Sequence, residues 1–517
     1  MFNRRTVPIA VICLLYVLLR FWRLTDSCLW FDEIFSIHAA THSWGTILNF
    51  ISLDLIHPPF FYLLLKVWIA IGGESLFWLR LLPVIFSIVA LVPFLALCRE
   101  LKLKQSTQIV ALFLLTINGS LIKYAQEVRM YSLLMCLSLF SMWLFVRWFY
   151  RDKSFLALVI VNILLVYTHY FGWFVIGAEV IAILLLQRGK LRRVAVMFGI
   201  TAACFLPWAI TVATVASSGS RLGQNIGWIT RPGPAEIAMF GFDLVEPFYY
   251  QTSSAEPSSI FLVSVPLLVI GFVAIALFLS GWKNRDESER RVAKLLLIFI
   301  IPPLAIALSA SWIFPYSVWG TRHLIAVFAP LFILIAFAAF SVDRNGLRTA
   351  LITVSVLFVG YAFALEIRRE RTENSWCVWE PLAAEWVSAP HESPEPKVLY
   401  AFEELIGYHL WFAARDFPST KINVVKGFGA SVDDPAYFLP RGFDGVKVVD
   451  EKKAFADDEF WVAFRDPDPH HNSPFVVVGS TPAVLSELSR LGFDPEEVRK
   501  IRAESESAFI VKMFRRP

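Results

Sequence analysis

Charge is the scarcest feature of this 517-residue sequence: Asp, Glu, Lys and Arg make up 17% of it, against about 25% in an ordinary soluble domain. So low a share excludes a simple soluble protein. The formal net charge is +4, which gives no case for a nucleic-acid partner; where the charges fall matters more. Short chemical signatures are missing too. No CxxC, HExxH, P-loop or GxGxxG in strand–helix context occurs, which leaves the zinc, nucleotide-loop and dinucleotide readings without a motif. There is no internal repeat and no low-complexity tract.

What the sequence has in excess is apolar surface: 57% hydrophobic and 15% aromatic residues, with mean hydropathy +0.59. A helix that crosses a bilayer needs roughly 17–25 apolar residues, fewer where neighbours thin the membrane. Spans are expected near 7–23, 79–98, 107–123, 130–147, 155–169, 171–187, 194–214, 259–281, 294–312, 323–341 and 349–366. The first lacks a small-residue cleavage site and ends in "RFWRL", so it reads as a retained anchor rather than a removed signal peptide. The expected fold class is mostly α, a polytopic membrane protein with eleven transmembrane helices.

The positive-inside rule constrains that count. With the N-terminal "MFNRR" in the cytoplasm, 19 of the 28 Lys and Arg in residues 1–366 fall on the inner side. Adding or removing one span would flip every later loop. Two segments need this parity. Residues 60–71 ("FFYLLLKVWIAI") are apolar but short and carry Lys66; a helix of that length falls well below the roughly 30 Å core and reads as lying on the outer surface. Residues 155–187 lie between two basic loops; both loops can be inside only if the chain turns back midway, and "THYFGW" supplies the turn.

The outer side then collects 24–78, 215–258 and everything after about 367. Residues 1–366 form the expected membrane domain, with surface helices in 24–78, and 367–517 a soluble α/β domain. In the latter, strand-like runs occur at "KVLYAF", "INVVKGF", "FWVAFRD", "FVVVG" and "FIVKMF", with helical patterns at 403–414 and 481–492. Cysteine says little. Cys13, Cys98, Cys136 and Cys204 lie in or beside spans and read as packing residues. Cys28 and Cys377 both face outward, where a disulfide can persist, although sequence does not show whether they approach each other.

Several ionisable residues gather on this outer side: Asp32 and Glu33 in "LWFDEIFS", Asp54 and His57 in "DLIHPPFFY", Glu127 and Arg129 in "YAQEVRMYS", His169 in "THYFGW", and Arg322 with His323 in "WGTRHL". Polar groups at one face of a membrane protein point to a site by default. Each also has a structural reading. Asp32 or Glu33 can cap a surface helix, Glu127 and Arg129 can pair to lock two spans, His57 can serve the turn before Pro58, His169 can be an interfacial hydrogen-bonder, and Arg322 an interface anchor. Their common sidedness is what favours a site.

The runs "LWFDEIFS", "HPPFFYLLLKVW", "GGESLFWLRLLPVIFSIVAL" and "YAQEVRMYSLLM" resemble bacterial GT-C membrane glycosyltransferases, in the branch of the protein O-mannosyltransferases and lipid A aminoarabinose transferases. The resemblance covers roughly residues 1–330. It implies a bacterial inner-membrane enzyme with a polyprenyl-phosphate sugar donor. Hexosyl or pentosyl transfer to a hydroxyl of a glycan, lipid or protein acceptor would take place on the outer face, with inversion and without a nucleic-acid partner. Asp32 matches the family's catalytic acid and is the candidate base, with Glu33 as its neighbour. His57, Arg129 and Arg322 are candidates for the donor phosphate, supported by Glu127, Tyr131 and His169. His57 stands where some relatives place a Lys. Some relatives also bind a divalent cation near this loop, for which Asp54 and His57 are the candidates. The rival class is a transporter or flippase for polyprenyl-linked sugars, against which no paired repeat with broken helices is found; a third is an assembly or sensor protein whose outer domain binds partners.

Overall fold

A computed structural model of the chain describes residues 7–218, 226, 229–248, 261–342, 345–368, 375–390, 396–426, 439–450, 453–467, 481–503 and 506–516. Two compact units emerge. One comprises Met1–Leu24, Ser43–Gln251 and Glu256–Arg369; the other comprises Thr25–His42, Thr252–Ala255 and Glu370–Pro517. The segment with Asp32 and Glu33 thus clusters with the C-terminal residues.

The first unit is helical because its apolar runs satisfy their backbone internally, as a bilayer demands. Six helices among the described residues are long and apolar enough to cross a membrane: Leu76–Glu100, Tyr131–Arg151, Arg188–Ser217, Leu262–Ser280, Glu287–Ile313 and Asn345–Arg368. Shorter apolar helices cover Val7–Phe21, Gln105–Ile117, Phe155–Thr168, Gly172–Leu186 and Ile325–Phe340, so each expected span meets a helix. Phe60–Gly72 is helical as well. In an apolar 18-residue stretch of Tyr131–Arg151 83% is buried, and in that of Asn345–Arg368 only 6%; the first is the hub of the bundle, while the second turns most of its apolar side chains outward. A fully buried Glu179 ties three helices together by accepting hydrogen bonds from Ser141 Oγ (2.6 Å) and Asn162 Nδ2 (2.8 Å).

One expected span is interrupted. The run 107–123 is split by Asn118, which ends Gln105–Ile117 and starts a separate helix, Gly119–Gln126. Its Oδ1 accepts from Leu121 N–H (3.0 Å), capping the new helix, and its Nδ2 donates to the Asp243 carbonyl (3.0 Å). Hydropathy alone cannot register such a cap.

The second unit is built on a six-stranded sheet ordered β3-β2-β1-β4-β6-β5. The strands are β1 (Lys397–Ala401), β2 (Thr420–Lys426), β3 (Val446–Asp450), β4 (Glu459–Pro467), β5 (Phe493–Ala503) and β6 (Glu506–Arg515). β1 pairs in parallel with β2 and β4, and β2 with β3, whereas β6 runs antiparallel to β4 and β5. Tyr400, Phe460, Val462, Leu488, Val511 and Met513 fill one core. The Glu404–Ala414 helix packs so closely on the sheet that a Cβ at Gly407 would meet Val424 Cγ2 at 2.7 Å. Four of the expected strand-like runs coincide with strands; the fifth, "FVVVG", lies outside the described residues. Two strands and the Trp379–Ser388 helix were not expected.

Candidate active site

The acidic pair opens the Phe31–Thr41 helix. Trp30, its N-cap, is extended, and its N–H donates to Glu33 Oε2 (3.3 Å). The Glu33 side chain therefore folds back over the first turn, where exposed N–H groups and the helix dipole favour a carboxylate. Glu33 is fully buried and Asp32 only half-buried. The two neighbours diverge: one caps the helix, and the other stands nearer to water.

In the membrane unit, a chain of hydrogen bonds fixes an arginine. The Ile47–Asp54 helix ends at Leu55, whose φ of 64° turns the chain toward His57 and the two prolines. Arg129 Nη2 lies 3.1 Å from His57 Nε2, and His57 Nδ1 lies 2.6 Å from Asp54 Oδ2. A guanidinium only donates, so Nε2 accepts, and Nδ1 carries the proton that it donates to Asp54. Arg129 is 1% exposed and sits two residues before the Tyr131–Arg151 helix, the hub of the bundle. Its backbone N–H reaches the Glu127 carbonyl (2.6 Å), and its guanidinium lies 5.9 Å from the Tyr131 ring.

His169 extends the cluster from the turn between two helices. Its ring lies 5.7 Å from that of His57, 6.1 Å from Tyr131 and 6.1 Å from His323. Nδ1 accepts from Phe171 N–H (3.3 Å), which puts the proton of the neutral ring on Nε2. That atom is buried and has no hydrogen-bond partner among the described residues. The charges of Arg129 and Arg322 both act on His169 and on His323. Arg322 is half-buried; its neighbours are anchored, Thr321 by donating to the Asp243 carboxylate and His323 by donating from Nδ1 to the Val318 carbonyl (3.0 Å). Asp54, His57, Arg129, Tyr131, His169 and Arg322 are thus brought together. Glu127 Oε1 lies 3.9 Å from Lys123 Nζ, and the charges of Glu127 and Arg322 both act on Tyr124.

The His57 ring, as it stands, has no lone pair to offer a divalent cation. The ring commits Nδ1–H to the carboxylate and offers its one lone pair to a guanidinium, so none is left for a metal. Among the described residues no group of three or more His, Cys, Asp or Glu is arranged to hold one.

Other buried polar groups escaped sequence reasoning. Arg20, fully buried, donates to the Thr116 (2.5 Å) and Leu115 (3.0 Å) carbonyls, and Arg80 donates to the Leu24 carbonyl (2.9 Å). Both lie within apolar runs, and an arginine there was the available signal. His38, six residues after Asp32, had none.

No protein-family model matches the sequence, and no curated protein matches it. Solved structures do. The aminoarabinose transferase ArnT of Cupriavidus metallidurans, solved bound to undecaprenyl phosphate, aligns over 98% of this chain and 98% of its own, with TM-score 0.56 and 12% identity; its apo state aligns equally well. The oligosaccharyltransferase AglB of Archaeoglobus fulgidus, solved with an inhibitory peptide and a dolichol-phosphate, aligns over 80% of this chain with TM-score 0.51 and 14% identity. The chain spans 64% of the length of that archaeal protein. At such identities the likeness is one of fold. The chain has the GT-C fold of these membrane glycosyltransferases.

Proposed function

We propose that the chain is a glycosyltransferase that moves a hexosyl or pentosyl group from a polyprenyl-phosphate donor to an acceptor hydroxyl, with inversion, on the outer face of a bacterial inner membrane. The observation that carries this is the alignment over 98% of both chains with a transferase solved with undecaprenyl phosphate. The sequence resemblance over residues 1–330 supports it independently.

The chemistry asks for a base and for a charge that meets the leaving group. Asp32, half-buried at the start of its helix, takes the hydroxyl proton as the acceptor oxygen bonds to the anomeric carbon. The bond from that carbon to the phosphate oxygen breaks, and polyprenyl phosphate departs with the electron pair. Arg129 and Arg322 meet the charge that builds on it. His57 serves this step through Arg129, whose guanidinium it orients, and His169 Nε2–H is a further donor for an anion. Glu33 holds the helix start.

Purified protein offered a panel of polyprenyl-phosphate sugars should release polyprenyl phosphate with at least one of them. Release with none, across hexosyl and pentosyl donors, refutes the reading and favours a transporter. Orientation has its own check. Cysteine labelling in intact cells should reach a probe at the exposed Ser388 and miss one at Lys190; the reverse pattern overturns the outward placement of the C-terminal unit.

A further inference from the structure

The C-terminal sheet has a switch point. Its first connections run from β1 to β2 and β3, and the chain then returns to lay β4 on the other side of β1. In open α/β sheets the crevice beyond the carboxyl ends of the strands at such a point takes a ligand. Here a piece of the chain itself is seated there. Glu403 follows β1 directly, and its carboxylate receives Arg465 Nε from β4 at 3.0 and 3.1 Å, both side chains being buried. The Arg465 guanidinium lies 5.2 Å from the Trp376 ring, which stacks at 5.1 Å on His409. The next residue, Cys377, is disulfide-bonded to Cys28, with Cα atoms 5.2 Å apart.

That bond lands four residues before Asp32. Farther along the same helix, His38 Nδ1 shares a hydrogen bond with the Tyr408 hydroxyl (2.9 Å), and its ring lies 4.7 Å from Trp411 and 4.9 Å from Phe443. Phe31, beside Asp32, packs on the Tyr408 ring at 5.3 Å. The acidic helix is therefore tied at its entry by a covalent bond and along its length by a ring clamp. A cross-link between residues 349 apart restrains the unfolded chain wherever it lies; its place next to the acid, doubled by the clamp, is what a stabilising role does not call for.

We propose that the C-terminal unit is a holder for the acidic helix: the Cys28–Cys377 disulfide and the His38–Tyr408 contact are positioning devices that fix the orientation of Asp32. The proposal rests on Asp32 acting in sugar transfer, as above.

Two measurements on the full-length detergent-purified protein test it together: hydrogen exchange of the 31–41 amides and steady-state transfer. In the Cys28→Ser/Cys377→Ser double variant, and in wild type reduced with dithiothreitol, the 31–41 amides should lose protection while β1 and β4 keep theirs. Turnover should fall roughly 10–100-fold, the scale of a misplaced catalytic group, with the donor KM within about twofold of wild type. Reoxidation should restore wild type, and the double variant should respond to neither treatment. Tyr408→Phe, which removes only the hydroxyl, should give a smaller loss in the same direction. Unchanged protection at 31–41 overturns the holding role. Lost protection with unchanged turnover overturns the positioning role. Oxidised wild type that transfers no sugar at all refutes the transfer reading instead, and is recognised because the exchange difference remains.

Discussion

The membrane unit and the C-terminal unit fix their charged groups by different means. Arg129 is held by other polar groups, through His57 to Asp54, and is 1% exposed. The acidic helix is held by a disulfide and by rings, and Asp32 itself is partly buried. The surroundings account for the contrast. A guanidinium inside an apolar bundle must be compensated on the spot, because an uncompensated buried charge is costly. A carboxylate in the first turn of a helix is aimed by whatever fixes that helix, here a covalent bond and a set of rings.

The strongest way to break the first half of this contrast is Arg129→Lys. An ammonium cannot reproduce the planar fork, and the loss of one charge-assisted contact, about 1.5–3 kcal/mol, should weaken donor binding roughly 10–150-fold while acceptor KM barely moves. Unchanged donor affinity, measured by titration with polyprenyl phosphate, would assign Arg129 to structure.

Acid tests the second half. Burial holds His38 down to about 3 from the usual 6.5, with His42 and Arg415 adding to it, and burial alone does the same for His409. In the folded unit both rings stay neutral to about 3, whereas in the unfolded chain they protonate near 6.5. Acid therefore feeds the unfolded state. The C-terminal unit should have its full stability above pH 6.5 and lose it as pH falls toward 3, by up to about 1.4 kcal/mol per pH unit for each ring. Thermal unfolding followed between pH 7 and 4 should show a falling midpoint, less steep in His38→Asn; a flat profile contradicts the clamp.

Smaller effects sharpen the comparison. His57→Ala removes one hydrogen bond to Arg129 and should cost about tenfold in donor affinity, less than Arg129→Lys at its upper end. Glu33→Gln removes the capping charge and should lower stability by about 0.3–1 kcal/mol, with transfer reduced far less than by loss of Asp32. A dead Glu33→Gln enzyme with normal folding would move the base from Asp32 to Glu33.

The membrane unit was largely legible because long apolar runs are strong signals, down to the turn at His169. The break at Asn118 was not, since a single polar residue in an apolar run carries no period. In the C-terminal unit, β5 was hidden by its sequence, "FDPEEVRKIRA", which has a charge at six of its eleven positions. Among the described residues it lies at the edge of the sheet, paired with β6, and slips register between Pro495 and Glu497; charged side chains are a usual protection of such an edge. The acidic pair stands out in the sequence by its apolar company, but that Glu33 folds back over the helix start while Asp32 stays only partly buried needed coordinates. So did the disulfide, because no local pattern links residues 349 apart.

The central claim is that Asp32 accepts the proton of the attacking hydroxyl. It is tested most directly by comparing wild type and Asp32→Asn in single-turnover release of polyprenyl phosphate from whichever donor wild type uses. The amide keeps shape and hydrogen bonding but cannot take a proton, so the rate should fall about 10²–10⁴-fold with donor binding nearly unchanged. Release by Asp32→Asn at close to the wild-type rate would contradict the account.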